Sequence, residues 1–240
     1  MSKLPNAPLV EVVTELRWQI TKKEELTEIQ YLYGDLYNAL KEKYPYRENI
    51  IPVDIPMEMT ISQPAYRFRS KASGYPLIQI GAGILTLNTI DEIYEWSTFF
   101  EEAKMVLEKF MEIYALPDKM VVPGIMYIDF FPFNFEESDL LDYINRNFKV
   151  RLTQSFLKTE KPPVDFNMGF AYNIELGQLR INFQKGKVNN KDGIILQTRL
   201  NGQSLLAEEE TLFKWLNDAH ELTSDLFKQL TSGELHESFK

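Results

Sequence analysis

The sequence predicts an α+β fold in which antiparallel strands form the sheet and the helices pack on one face of it. Three observations support this class. Short segments alternate apolar and polar residues, which is typical of half-buried strands. Longer segments repeat apolar residues every three or four positions, which is typical of amphipathic helices. The order strand–helix–four strands–helix occurs twice in the 240 residues, so we predict two similar lobes, 1–118 and 119–240, related by a pseudo-twofold axis within one compact unit.

The first half begins with a strand over 10–20, in which Val12, Leu16 and Trp18 share one face. A helix is predicted over 24–44, and Pro45 ends it because the residue before a proline disfavours helical backbone. Four candidate strands and a closing helix follow, at 54–62, 66–71, 76–81, 84–88 and 91–115.

The second half repeats this order. It begins with the strand "VVPGIMYIDFF", followed by a short helix over 138–147. Candidate strands and a long closing helix follow, at 150–157, 166–176, 179–185, 193–200 and 206–231. The lysine-rich segment "FQKGKVNNKDG" predicts an exposed hairpin loop. Runs of strands between helices favour an antiparallel sheet with the helices on one face.

The stretch "QIGAGILTLN" raises the question of a phosphate-binding loop. A dinucleotide loop needs a helix directly after its glycines, because the helix N-terminus holds the phosphate. Here Ile84, Leu85 and Leu87 follow Gly83 and favour a strand, and the third glycine of the motif is absent. We therefore predict a β-turn containing Gly81 and Gly83, with glycine supplying a positive φ, and no bound mononucleotide or other cofactor.

Composition excludes several further classes. The chain has no cysteine, so disulfides, thiol nucleophiles and cysteine-bound metals are excluded. Its two histidines, His220 and His236, lack the spacing of a zinc site, and we expect no metal. No apolar run is long enough to span a membrane, and the first residues lack a signal-peptide core, so we expect a soluble, cytoplasmic protein. The net charge of −9, spread over both halves, argues against a nucleic-acid partner.

Arginine and amide side chains recur at strand positions that face away from the predicted core. In "YRFRSK", Tyr66 and Phe68 alternate with the arginines, so the aromatic rings point toward the core. The ligand-binding candidates are Arg17, Arg67, Arg69, Arg180 and Arg199. An arginine fork bonds both oxygens of a carboxylate or phosphate, so we expect an unknown protein or anionic ligand as partner. Two alternatives stay open: an ordinary solvated sheet face, and cross-strand neutralisation by Glu11, Glu15 and Glu175.

Asp129 and His220 are the candidate catalytic residues. Asp129 lies among aromatic residues in "MYIDFFPF", where burial could raise its pKa, although it could equally cap the turn before Pro132. His220 lies at the edge of the apolar face of the last helix, where it could join an acid in space or simply pack against the sheet. We expect a non-enzymatic binding or interaction module. The alternative is a hydrolase-type enzyme with a carboxylate/histidine pocket between the lobes, and a homo-oligomer stays open.

Three segments carry a family resemblance: "LPNAPLVEVVTELRW", "GAGILTLN" followed by "YEW", and "WLNDAHELTSDLFKQLT". They resemble a sporadically distributed group of prokaryotic proteins of about this length. The resemblance implies a single full-length unit and carries no activity, substrate or cofactor. The element order also resembles the saddle of TATA-binding-protein-like folds, and a fold alone does not define a function.

Overall fold

The structure is a computed structural model that describes residues 4–52, 54–114, 120–156, 163, 165–231 and 233–240. Within these residues the first half contains β1 (Leu9–Trp18), α1 (Lys23–Leu40), β2 (Tyr46–Asn49), β3 (Tyr66–Arg69), β4 (Leu77–Gly81), β5 (Ile84–Ile90) and α2 (Trp96–Ile113). The second half contains β6 (Met120–Pro132), α3 (Leu140–Asn147), β7 (Asn167–Ile174), β8 (Gly177–Val188), β9 (Lys191–Asn201), β10 (Leu205–Leu206), α4 (Glu209–Leu230) and α5 (Glu234–Glu237).

The strands form one sheet in the order β2-β3-β4-β5-β1-β6-β9-β8-β7, with β10 paired to β6. Neighbouring strands are antiparallel throughout the described pairs. The predicted α+β class with an antiparallel sheet is therefore confirmed. The first strands of the two halves, β1 and β6, pair at the centre. Each half then crosses to its outer edge, at β2 or β7, and returns strand by strand toward the centre. The superposition of 1–118 on 119–240 stays a prediction.

The helices pack on one face of the sheet, where a single apolar core forms. Its most deeply buried phenylalanine rings are Phe68 on β3, Phe110 on α2 and Phe183 on β8. Trp18 on β1 packs against Phe110 with ring centroids 5.0 Å apart. Because side chains alternate along a strand, the neighbouring positions Glu15 and Arg17 point to the opposite face.

The strand predicted over 54–62 is wrong. Residues 54–62 instead form turns and a 3₁₀ helix, Met57–Met59. Pro52 and Pro56 explain the difference, because proline has no N–H to donate to a neighbouring strand. The sheet edge is instead β2, whose sequence "YREN" is exposed at all four positions and therefore shows no alternation.

The strand predicted over 150–157 is also wrong for the described residues 150–156, which form no strand; residue 157 lies outside them. The side chain of Asn145 explains this. Its Oδ1 accepts from the backbone N–H of Leu152 at 2.7 Å, and its Nδ2 donates to the Leu152 carbonyl at 2.8 Å. Both backbone groups that a sheet neighbour would need at Leu152 are thus already bonded.

The glycine stretch forms a hairpin turn. Gly81 is the last residue of β4, Ala82 and Gly83 form the two-residue turn, and β5 follows directly at Ile84. Gly83 has a φ of 84°, so the predicted positive φ is confirmed at that position. A strand rather than a helix follows, so the stretch lacks the helix N-terminus that a phosphate loop requires.

The "FQKGKVNNKDG" segment forms the β8–β9 hairpin, and the turn residues Asn189 and Asn190 have φ values of 49° and 63°. Asparagine tolerates this left-handed backbone better than most residues. None of the helices among the described residues is long and apolar enough to cross a bilayer.

Gly34→Ala is expected to stabilise the protein. Gly34 lies on the exposed side of α1, and a Cβ added there meets no atom within 4 Å. Alanine loses less backbone entropy in a helix, so we expect a gain of about 0.5–1 kcal/mol. Urea denaturation of the two proteins measures it. A loss of stability would mean that position 34 packs against another part of the chain.

Candidate functional site

The five arginines predicted to bind a ligand lie on the sheet face opposite the core. The strand registers place Arg17 on β1, Arg67 and Arg69 on β3, Arg180 on β8 and Arg199 on β9, each at a position that alternates with core residues. We call this surface the arginine face. The structure divides its arginines into three groups, each with its own hydrogen-bond partners.

The central group contains Arg17, Arg199 and Glu15. Arg17 holds Glu15 with two hydrogen bonds, Nε to Oε1 at 2.6 Å and Nη2 to Oε2 at 3.0 Å. Arg199 reaches the same carboxylate from β9, with Nη2 to Oε1 at 2.5 Å. One carboxylate therefore serves two arginines from different halves of the chain. Glu15 was among the neutralising acids considered, whereas Glu11 instead accepts from Asn88 at 2.7 Å.

A second group lies at the β2 edge. Glu48 accepts from Arg67 at 2.7 Å and from Arg69 at 3.3 Å. Although burial opposes the effect, these two guanidinium groups lower the pKa of Glu48 below its usual range. The sequence could not reveal this partner, because β2 has no alternating pattern. Neither Glu48 nor its role was predicted.

The third group surrounds Arg180, which lies directly opposite Arg199 in the β8–β9 register. Like charges at facing positions destabilise a sheet. Arg180 is exposed, and its Nε donates to Gln178 at 2.8 Å. A shallow depression of about 640 Å³ lies over this pair. Its other polar side chains are amides: Asn182, Gln197 and Asn201.

Asp129 and His220 lie elsewhere, on the helix-bearing face of the sheet. Both line a cavity of about 470 Å³. We call it the Asp129 cavity. Residues from both halves of the sequence form its wall. The wall consists of residues 4 and 7–9, Asp91, Tyr94 and Glu95 before α2, Trp96 at the start of α2, Tyr127 and Asp129 on β6, Thr198 on β9, and one side of α4.

A chain of hydrogen bonds orders the aromatic side of the cavity. The Tyr94 hydroxyl lies 3.2 Å from that of Tyr127, which lies 2.7 Å from Nδ1 of His220. The His220 ring stacks on Trp96 with centroids 3.8 Å apart. Burial lowers the pKa of His220 to about 4 and raises that of Tyr94 to about 12. These rings are therefore neutral at physiological pH.

Asp129 forms the acidic part of the wall. Its residue is 4 % exposed, and within the described part of the chain no side-chain hydrogen bond to its carboxyl group is found. Burial raises its pKa to about 7, and the nearby charge of Asp91 contributes in the same direction.

Sequence reasoning identified Asp129 and His220 but missed Tyr94, Trp96 and Tyr127. These aromatic residues have the spacing of ordinary core residues, so their role as a cavity wall had no separate signal. One clue existed, since Tyr127 lies two residues before Asp129 and must share its strand face. Among the described residues, no group of three or more acidic or histidine side chains is arranged to hold a metal ion.

Comparison of the chain with protein-family models, with curated proteins and with solved structures found no match. The resemblance to the prokaryotic group and to TATA-binding-protein-like folds therefore stays a prediction.

Proposed function

We propose that the chain is a non-enzymatic binding protein whose arginine face holds an acidic segment of a partner protein. The observation that carries this proposal is the facing pair of Arg180 and Arg199. Two guanidinium groups at opposed sheet positions cost stability unless an anion lies between or above them. Glu15 already bonds Arg199, whereas Arg180 has an exposed side chain bonded to an amide.

The charge balance of the face supports an anionic partner. Glu15 and Glu48 each hold two arginines, and Glu11 is the third carboxylate of the face, so the five arginines face three carboxylates. The overall charge of −9 does not cancel this excess, because salt screens charges beyond roughly 8–10 Å. The face therefore attracts anions locally.

The distribution of charge favours a protein segment over nucleic acid. Carboxylates lie between the arginines of the face, at Glu11, Glu15 and Glu48. A nucleic-acid strand carries a phosphate about every 3.4 Å, and such a dense row would meet these carboxylates. A protein segment with spaced acidic residues avoids them. The amides beside Arg180 can also bond peptide N–H and C=O groups, since each amide both donates and accepts.

Arg180→Gln is expected to weaken binding of a fluorescein-labelled oligoglutamate peptide about tenfold, the loss of one charge-assisted interaction worth about 1.5 kcal/mol. Fluorescence anisotropy at low and physiological salt measures it. Arg146→Gln is the matched control, since it removes the same charge from an exposed position on α3, away from the face. Equal affinity of both variants, or tighter binding of oligothymidylate than of oligoglutamate, would contradict the proposal.

A hydrolase-type reaction is the second candidate, favoured by the meeting of Asp129 and His220 in one cavity. Within the described residues, however, no hydrogen bond joins the two, and His220 instead bonds the Tyr127 hydroxyl. The nearby Thr223 hydroxyl donates to the Ala219 carbonyl at 2.7 Å. The Thr223 hydroxyl therefore bonds backbone carbonyls rather than the His220 ring, whereas a nucleophile would bond its base. Hydrolysis of p-nitrophenyl acetate that His220→Ala abolishes would favour this candidate.

A further inference from the structure

The Asp129 cavity has a chemistry that the arginine face does not share. Its volume of about 470 Å³ lies within the range of about 300–1,000 Å³ for small-molecule sites. Its apolar wall includes Pro8, Leu9 and Phe227. Its polar lining includes Tyr94, Tyr127, Asp129 and His220, and a few polar groups in an apolar wall are typical of small-molecule sites.

The carboxyl group of Asp129 determines the sign of charge that the cavity accepts. A buried carboxylate is costly unless a donor or a cation accompanies it. Asp129 is only 4 % exposed, yet the described residues provide no hydrogen bond to its side chain. Asp91 and Glu95 also line the cavity, and the charge of Asp91 acts on Asp129. The ionised Asp129 carboxyl, for which the described residues provide no donor, therefore favours a cation in the cavity.

The other ionisable groups on the cavity wall do not offset the preference for a cation. His220 is held against Trp96 and Tyr127 and is neutral at physiological pH. Tyr94 and Tyr127 are un-ionised, since burial raises the pKa of both hydroxyl groups. Lys228, the one described cation on the wall, forms an ion pair with Asp225 at 3.0 Å.

The wall suits an organic cation better than a metal ion. The described residues contain no cluster of three or more metal-ligating acids or histidines. They contain instead the aromatic rings of Tyr94, Trp96, Tyr127 and Phe227 around the same space. Aromatic faces attract ammonium groups, and more strongly when water is excluded. Their apolar area would also bury the body of a ligand.

We propose that the Asp129 cavity binds a small organic amine in its protonated form, with the ammonium group against Asp129 and the apolar body against the aromatic wall. The ligand class is an aryl-alkyl amine. This site is independent of the arginine face and lies on the opposite side of the sheet, so either proposal can fail without the other.

Binding should be linked to the protonation of Asp129. Below the pKa of about 7, the carboxyl must release its proton before it can pair with an ammonium group, so affinity should rise about tenfold per pH unit. Above this pKa the affinity should level off, because the Asp129 carboxyl is then already ionised. The amine itself stays protonated throughout, because its pKa is about that of lysine, roughly 10.

Isothermal titration calorimetry with phenethylamine and tryptamine tests the proposal between about pH 5.5 and 8.5. We expect saturable binding of the amines, tighter toward pH 8, and much weaker binding of 2-phenylethanol and phenylacetate, which share the ring but lack the positive charge. Asp129→Asn should weaken amine binding at least tenfold at pH 8. Asp218→Asn, which removes the same charge from α4 outside the cavity, should leave it unchanged.

Three outcomes would overturn the proposal. The first is the absence of saturable binding by either amine. The second is binding of 2-phenylethanol or phenylacetate as tight as that of phenethylamine. The third is an amine affinity that Asp129→Asn leaves unchanged. Circular dichroism of Asp129→Asn at pH 8 separates a loss of binding from a loss of folding.

Discussion

Asp129→Asn is expected to stabilise the protein at pH 8 by roughly 4 kcal/mol, the value that corresponds to a pKa raised from 3.8 to about 7. The native protein binds a proton at Asp129 between about pH 4 and 7, whereas the unfolded chain does not. Stability of the parent protein therefore falls as pH rises through this window and is constant above it. The asparagine variant does not lose stability in this way, so the difference in unfolding free energy between the two proteins should vanish near pH 4.

Urea denaturation of both proteins at several pH values between about 4 and 8 measures this difference. His220 is present in both proteins, so its own contribution to the pH dependence is subtracted in the comparison. Asp35→Asn, on the exposed side of α1, is the control and should change stability little at either end. A variant that is less stable than the parent protein at pH 8 would mean that the Asp129 carboxylate has a stabilising partner in the fold.

Gly83→Val is expected to destabilise the protein by about 3 kcal/mol, since a β-branched residue is strained at positive φ. The φ of Gly83 is 84°, and an added Cβ would lie 2.8 Å from the Trp18 carbonyl oxygen. That backbone oxygen cannot move aside as a flexible side chain could. The melting temperature should fall by roughly 6–12 °C in a chain of this size.

Gly83→Asn is the matched variant. It adds the same Cβ, but asparagine tolerates positive φ, so its loss should be clearly smaller. Differential scanning calorimetry compares the three proteins. We also expect no saturable heat when ATP or NAD is titrated into the parent protein. Saturable nucleotide binding that Gly83→Val abolishes would contradict the prediction that residues 79–88 serve only as a hairpin.

Elements with a clean apolar pattern could be predicted from the sequence because their burial is one-sided. β1, β9 and the four longer helices are of this kind, and so the antiparallel α+β class was correct. β2 could not be found, since an edge strand exposed at every position follows no hydrophobic period. The strand predicted for 150–156 was wrong because the apolar residues there suit a strand, whereas the side chain of Asn145 on α3 bonds the backbone of Leu152.

The candidate sites were predictable to different extents. Asp129 and His220 stood out as ionisable residues in apolar surroundings, and the structure brings them into one cavity. Alternation alone placed the arginines on one sheet face. Their ion pairs depended on strand neighbours that a linear pattern does not give, such as Glu15 with Arg199, which are 184 residues apart. The aromatic cavity wall could not be distinguished from core packing without coordinates.

The pairing of β1 with β6 has a consequence for any attempt to produce half of the chain. These strands pair along nearly the whole length of β1 and fill the centre of the sheet. A fragment that ends between α2 and β6 would therefore expose one full side of β1, with its N–H and C=O groups unsatisfied. Such an edge recruits other strands, including a second copy of itself. Each half thus covers the strand edge through which the other half would self-associate. Two fragments produced by a split at this point should stay monodisperse only when they are mixed and pair with one another.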